Sequence, residues 1–207
     1  MCINNYTMAE SSFDQNIFKT INDFAALRGY YNKYNQAALN WYKSQVSKIQ
    51  VGRMQLLGDN VIYQHNRPGP GHFCFFFYSS KGYAEKTLAY YDTSPMSLIL
   101  SAGGGYIDGI NVHYLPLQLR LKLFQQILDI EGRNFTQREK FTLTYEALKS
   151  VGNLYKPCYK RYLASHIKSN AVWVPMDSAL IATFLPVANF KGASQTKVWN
   201  DSKKIIA

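Results

Sequence analysis

Four histidines, three cysteines and 13 acidic residues are all this chain of 207 residues offers for acid–base, nucleophilic or metal chemistry. His65, His72, His113 and His166 form no i, i+4 pair, and Cys2, Cys74 and Cys158 have no metal-ligand spacing, so neither a metal nor a cofactor is expected. A nuclease would need clustered carboxylates to hold divalent cations, and these are dispersed. Asp92 and Asp108 read as turn residues beside Pro95 and Gly109. Gly103-Gly104-Gly105 lacks the Lys-Ser/Thr and the following helix of a phosphate loop, and reads as a hairpin turn. The pattern is that of a non-enzyme, with no small-molecule substrate.

The cations are more informative. The net charge is +10, and the stretch 149–207 holds nine basic residues against two acidic ones. Such an excess favours polyanions, nucleic acid above all, because each phosphate contact releases counterions. Lys156 and Lys160 interleave with Tyr155, Tyr159 and Tyr162, and a helix over 157–169 would bring them to one face near Arg161 and Lys168. Lys203 and Lys204 add a second basic site. These six are the candidate phosphate contacts, with rings available to stack on bases. The plainer reading is a helix with tyrosines in the core and lysines in solvent. Asn111 and His113 share one face of a strand and are candidates for polar support, structural or functional.

Elements must position these groups. Charged residues make up 17% of the chain and aromatics 15%, with 16 tyrosines, which implies a large core or a place inside an assembly. Met1 to Gln15 lacks the apolar core of a secretory signal, and no apolar run reaches membrane length, so a soluble protein folded in a reducing cytoplasm is expected. Cys74, among phenylalanines, reads as a small buried hydrophobe.

The expected fold is α+β: a small SH3-like antiparallel β-barrel or curled meander packed with N-terminal and C-terminal helices. Residues 1–67 form an arm and helices, with Phe13, Ile17, Ile21 and Phe24 on one stripe. Asn35 caps a second helix bearing Ala38, Leu39, Tyr42, Val46 and Ile49. A short strand is expected around Val61 to Tyr63. Pro68-Gly69-Pro70-Gly71 is the strongest break. Residues 68–116 give the barrel: Phe73 to Ser79, buried on both faces, then strands near Leu88 to Tyr91, Met96 to Ser101 and Tyr106 to Tyr114. Residues 117–207 are helical and basic, separate from the barrel or continuous with it. Pro116 opens a helix with Leu117, Leu121, Phe124 and Leu128 inward and Arg120 largely outside the stripe. Thr136-Gln137-Arg138-Glu139 starts another, and 157–169 a third. Val172 to Val174 adds a strand, Ser178 to Phe184 suits helix or strand, and a last helix covers about Ser194 to Lys204.

Several strings carry a resemblance. They are Tyr90-Tyr91-Asp92-Thr93-Ser94-Pro95-Met96, then Gly109-Ile110-Asn111-Val112-His113-Tyr114-Leu115-Pro116, then Lys160-Arg161-Tyr162-Leu163-Ala164-Ser165-His166. Val174-Pro175, Phe184-Leu185-Pro186, Phe190-Lys191-Gly192-Ala193-Ser194 and Val198-Trp199-Asn200-Asp201-Ser202-Lys203-Lys204 follow in order. Together they resemble the DNA end protector family of T-even-type tailed phages. The resemblance implies a minor virion protein, made in the host cytoplasm, that joins the end of the packaged genome at head completion and shields it from host exonuclease. Its partners would be a double-stranded DNA terminus and other virion proteins of the portal, neck or tail, with no membrane. The competing expectation is a purely structural neck, tail or baseplate component that binds only other virion proteins.

Overall fold

A computed structural model describes residues 17–31, 33, 35–48, 64–65, 69–131, 152–174 and 178–207. The fold is mixed helix and strand. Helices α1 (Ile17–Leu27) and α2 (Gln36–Ser47) are followed by strands β1 (Gln64–His65) and β2 (Phe73–Phe75) and a short helix α3 (Lys81–Ala84). Strands β3 (Tyr91–Asp92), β4 (Met96–Gly103) and β5 (Tyr106–Asn111) lead through a 3-10 turn at Val112–Tyr114 into α4 (Leu117–Glu131). A 3-10 segment, Gly152–Cys158, then enters β6 (Tyr159–Leu163) and β7 (Ala171–Val174). Helix α5 (Ala179–Phe184), β8 (Phe190–Lys191) and α6 (Gln195–Ile206) complete the order.

Six strands form one antiparallel sheet in the order β1-β7-β2-β4-β5-β6, and β3 pairs with β8 in a separate ribbon. No closed barrel forms among the described residues. The barrel expectation counted only strands between 72 and 115, whereas the sheet also recruits Gln64–His65, Tyr159–Leu163 and Ala171–Val174. The aromatic β2 is buried on both faces, as its apolar run predicts. Phe73 and Phe75 join the large core that includes Phe124, Leu180 and Val174, while Cys74 and Phe76 pack with Ile99, Ile107 and Tyr162.

Local chemistry sets the element ends. The Asn35 side chain accepts from the Ala38 N–H at 2.8 Å, and Ala38, Tyr42 and Val46 are buried beneath that cap. Gly104 and Gly105, with φ of 58° and 82°, supply the left-handed turn between β4 and β5. α4 begins just after Pro116, with Leu121 and Phe124 buried. Ser194 caps α6 by accepting from the Lys197 N–H. The ambiguous stretch before Pro186 resolves as helix.

Several expectations fail here. The strand from Phe73 ends at Phe75 and not at Ser79, and the strand from Tyr106 ends at Asn111, where Val112–Tyr114 turn as 3-10 helix. Phe24, on the expected stripe of α1, is exposed, and Ala25 is buried beside it. Residues 157–169 are not helical: the chain runs from 3-10 turn into β6 and then a second 3-10 turn at Ala164–His166. The strand near Leu88 shrinks to two residues at Tyr91–Asp92. The predicted strand at Val61 to Tyr63, the helix from Thr136 and the inward positions Phe13, Ile49 and Leu128 lie outside the described residues and side chains.

Candidate functional site

A cleft of about 450 Å³ opens where β5, β6, α3 and α6 meet. Its lining includes Tyr78, Tyr90, Tyr91, Tyr106, Tyr114 and Tyr162, together with Lys81, Lys160 and Arg161. Ser202 and Ile205 of α6 close one side, and Asp92 and Asn111 lie at the floor.

The floor is a buried polar network. Asp92 comes from the two-residue β3, and Asn111 and His113 from the end of β5 and the turn after it. The Asn111 side chain caps that turn, accepting from the His113 N–H at 3.0 Å while donating to Asp92 Oδ2 at 3.0 Å. His113 Nδ1 lies 2.7 Å from the same oxygen, and the Ser94 N–H donates to Oδ1 at 3.0 Å. Burial alone would raise the Asp92 pKa. Hydrogen bonds donated by His113, Asn111 and Ser94 outweigh it and hold the carboxyl below its ordinary range. Burial pushes the His113 pKa down, against the pull of Asp92 and with the help of nearby Arg120. His113 is therefore neutral, donating from Nδ1, because a charged ring would bury a partnerless N–H at Nε2.

Arg120 fixes the other side of this floor. Its Nε donates to the Leu115 carbonyl at 2.7 Å and its Nη2 to the His113 carbonyl at 3.2 Å. The Trp199 indole N–H donates to that same carbonyl at 3.0 Å, tying α6 to α4 through the turn between them. Burial lowers the Arg120 pKa to about 10, which leaves it a cation at neutral pH. Placing Arg120 outside the core stripe is thus corrected: it is 4% exposed, and two turn carbonyls accept its N–H groups while the Asp92 carboxylate lies close enough to favour its charge.

The sequence-predicted phosphate contacts separate. Lys156 is exposed in the 3-10 segment, and the break before β6 denies it a common helical face with Lys160. Lys160 is half-buried, with Nζ 3.9 Å from the centre of the Tyr114 ring. Burial pulls its pKa below the ordinary lysine value. The neighbouring Arg161 grips Asp108 through two N–H···O bonds of 2.8 and 2.9 Å. That pairing, first through its hydrogen bonds, lowers the Asp108 pKa, so Asp108 is an ion-pair partner and not merely a turn residue. Lys168 is exposed in a loop whose N–H bonds the Phe77 carbonyl. Lys203 and Lys204 are exposed in the last turn of α6, where cations also suit the helix dipole.

The cleft therefore gathers Lys160 and Arg161, with Lys203 and Lys204 on the helix beside it, and leaves Lys156 and Lys168 outside its lining. Asn111 and His113 are floor supports, buried at 0% and 1% exposure. Sequence reading missed Lys81, Tyr106 and the Asp92 hub. Asn111 and His113 do not share a strand face as expected, since β5 ends at Asn111 and His113 lies in the 3-10 turn; that two polar groups beside an apolar strand need a partner was the one available signal.

The model of the phage T4 terminal DNA protecting protein family matches residues 8–206 of this chain. No curated protein and no solved structure matches it significantly.

Proposed function

The chain belongs to the phage T4 terminal DNA protecting protein family, and from that premise we propose how it shields a genome end. It binds the terminus of phage DNA and denies an exonuclease its loading site by occupying it. The action is steric and non-enzymatic. The match over residues 8–206 carries this reading.

The charge distribution supports it. Nine basic residues against two acidic ones in 149–207 provide a sequence-independent hold on phosphates. Lys160 and Arg161 on β6, which line the cleft, and Lys203 and Lys204 on α6 beside it are the central contacts, with Lys156 and Lys168 as outlying ones. In the particle the protein sits at the head–tail junction, against portal, neck or tail proteins, where the packaged end emerges.

Binding of the full chain to a blunt linear duplex, compared with a closed circle of the same sequence, tests this. Log affinity is expected to fall linearly with log salt, by about 0.9 for each phosphate neutralised. Undetectable binding at low salt, affinity indifferent to salt, or equal affinity for the circle would overturn it.

A further inference from the structure

The cations lining the cleft differ in one respect. Arg161 is paired with Asp108, and Lys81 lies 3.5 Å from Glu85. Lys197, whose ammonium lies over the Tyr90 ring beside the cleft, holds Asp201 at 2.7 Å. Lys160 has no carboxylate partner among the described residues; its ammonium lies over the Tyr114 ring. A half-buried ammonium without an anion is costly, and a ligand anion would relieve that cost. Asp92 also lines the cleft but makes no ion pair with Lys160; its oxygens accept from His113, Asn111 and Ser94.

Around this cation the walls are aromatic. Tyr106 is 45% exposed at the rim and Tyr90 is half-buried. Tyrosine faces stack on nucleobases of any sequence, worth about 1–3 kcal/mol per base. The volume, about 450 Å³, falls within the range of roughly 300–1,000 Å³ usual for small-ligand sites. An aromatic wall beside an unneutralised cation fits a ligand that is flat at one end and anionic at the other.

Resting on the end-protection reading, we propose that this cleft takes the unpaired terminal nucleotide of a DNA strand. The phosphate lies on Lys160 and the base against Tyr90 and Tyr106. The protein then recognises an end as an end, since an internal nucleotide of intact duplex cannot leave its stack without losing its pairing.

The test uses the full chain and 5′-phosphorylated duplexes carrying 2-aminopurine, either in a two-nucleotide overhang at the terminus or inside a blunt duplex. Terminal 2-aminopurine is expected to be quenched on binding and the internal probe unchanged. Lys160→Gln is expected to lower affinity for the overhang about tenfold, Lys160→Arg to restore most of it, and Tyr106→Ala, at the exposed rim, to remove the quenching. DNA binding with unchanged terminal emission, or equal affinity of the wild type and Lys160→Gln, overturns the cleft assignment and leaves end protection standing. Competition by free 2-aminopurine deoxynucleoside monophosphate as strong as by the overhang also overturns it, marking a free-nucleotide site. Failure to bind any duplex overturns both readings.

Discussion

The floor of the cleft and the outer face of α6 use the same residue types to opposite ends. At the floor, Asp92, Arg120, Asn111 and His113 are each 4% exposed or less, and their polar atoms are directed at one another and at turn carbonyls. On α6, Lys203 and Lys204 are exposed, with no described ion pair. Buried charge is committed to holding β3, the turn after β5 and α6 in one arrangement, because any unpaired member would be stranded without water. Exposed charge costs nothing to desolvate and stays available for phosphates. The comparison teaches that position, more than residue type, divides scaffold from contact in a basic protein.

Removing the hub should have the largest effect. Asp92→Ala leaves the His113, Asn111 and Ser94 donors buried without their acceptor, and at about 1–3 kcal/mol for each unsatisfied group is expected to destabilise the fold by about 3–5 kcal/mol in all, measured by urea denaturation. A change of less than about 1 kcal/mol would show that the network is not a structural tie. Asn111→Ala removes both a turn cap and a donor to Asp92, and should cost about 1–3 kcal/mol by the same measurement.

The network also predicts a pH dependence. His113 has a folded pKa below its ordinary 6.5, and Asp92 one below its ordinary 3.8. In both cases the unfolded chain takes up its proton first as pH falls, so stability is full above the ordinary value and is lost below it. The His113 contribution should decline from about pH 6.5 downward and that of Asp92 from about pH 3.8 downward. Denaturant midpoints of wild type and His113→Gln between pH 7 and 4 check this; parallel curves would contradict a neutral His113.

The smallest effect on stability belongs to the exposed side. Lys203→Ala with Lys204→Ala should change stability by less than about 0.5 kcal/mol per substitution yet reduce the salt slope of DNA binding by up to about two. A large loss of stability with an unchanged slope would reverse the comparison.

The local parts of this architecture were legible in the sequence. Asn35 as a cap, Pro116 as a helix opener, the glycine turn and the doubly buried β2 all follow from chemistry within a few residues. β6 did not. Tyr159, Tyr162, Leu163 and Ile167 fall at helical spacing, but the strand is held by pairing with Tyr106–Ile110 across the sheet, including Arg161 opposite Asp108. Pairing between residues 53 positions apart leaves no mark on local periodicity. The Asp92 hub was hidden for the same reason: its donors come from Ser94, Asn111 and His113, and only folding brings them together. The basic residues were legible as composition, and their grouping was not.

Exonuclease digestion of a linear duplex saturated with the full chain tests the central claim most directly. At low salt the protein should slow digestion from the ends by an order of magnitude or more, and the protection should fade as salt weakens the phosphate contacts. Digestion at the rate of naked DNA, under conditions where binding is demonstrated, would contradict the account.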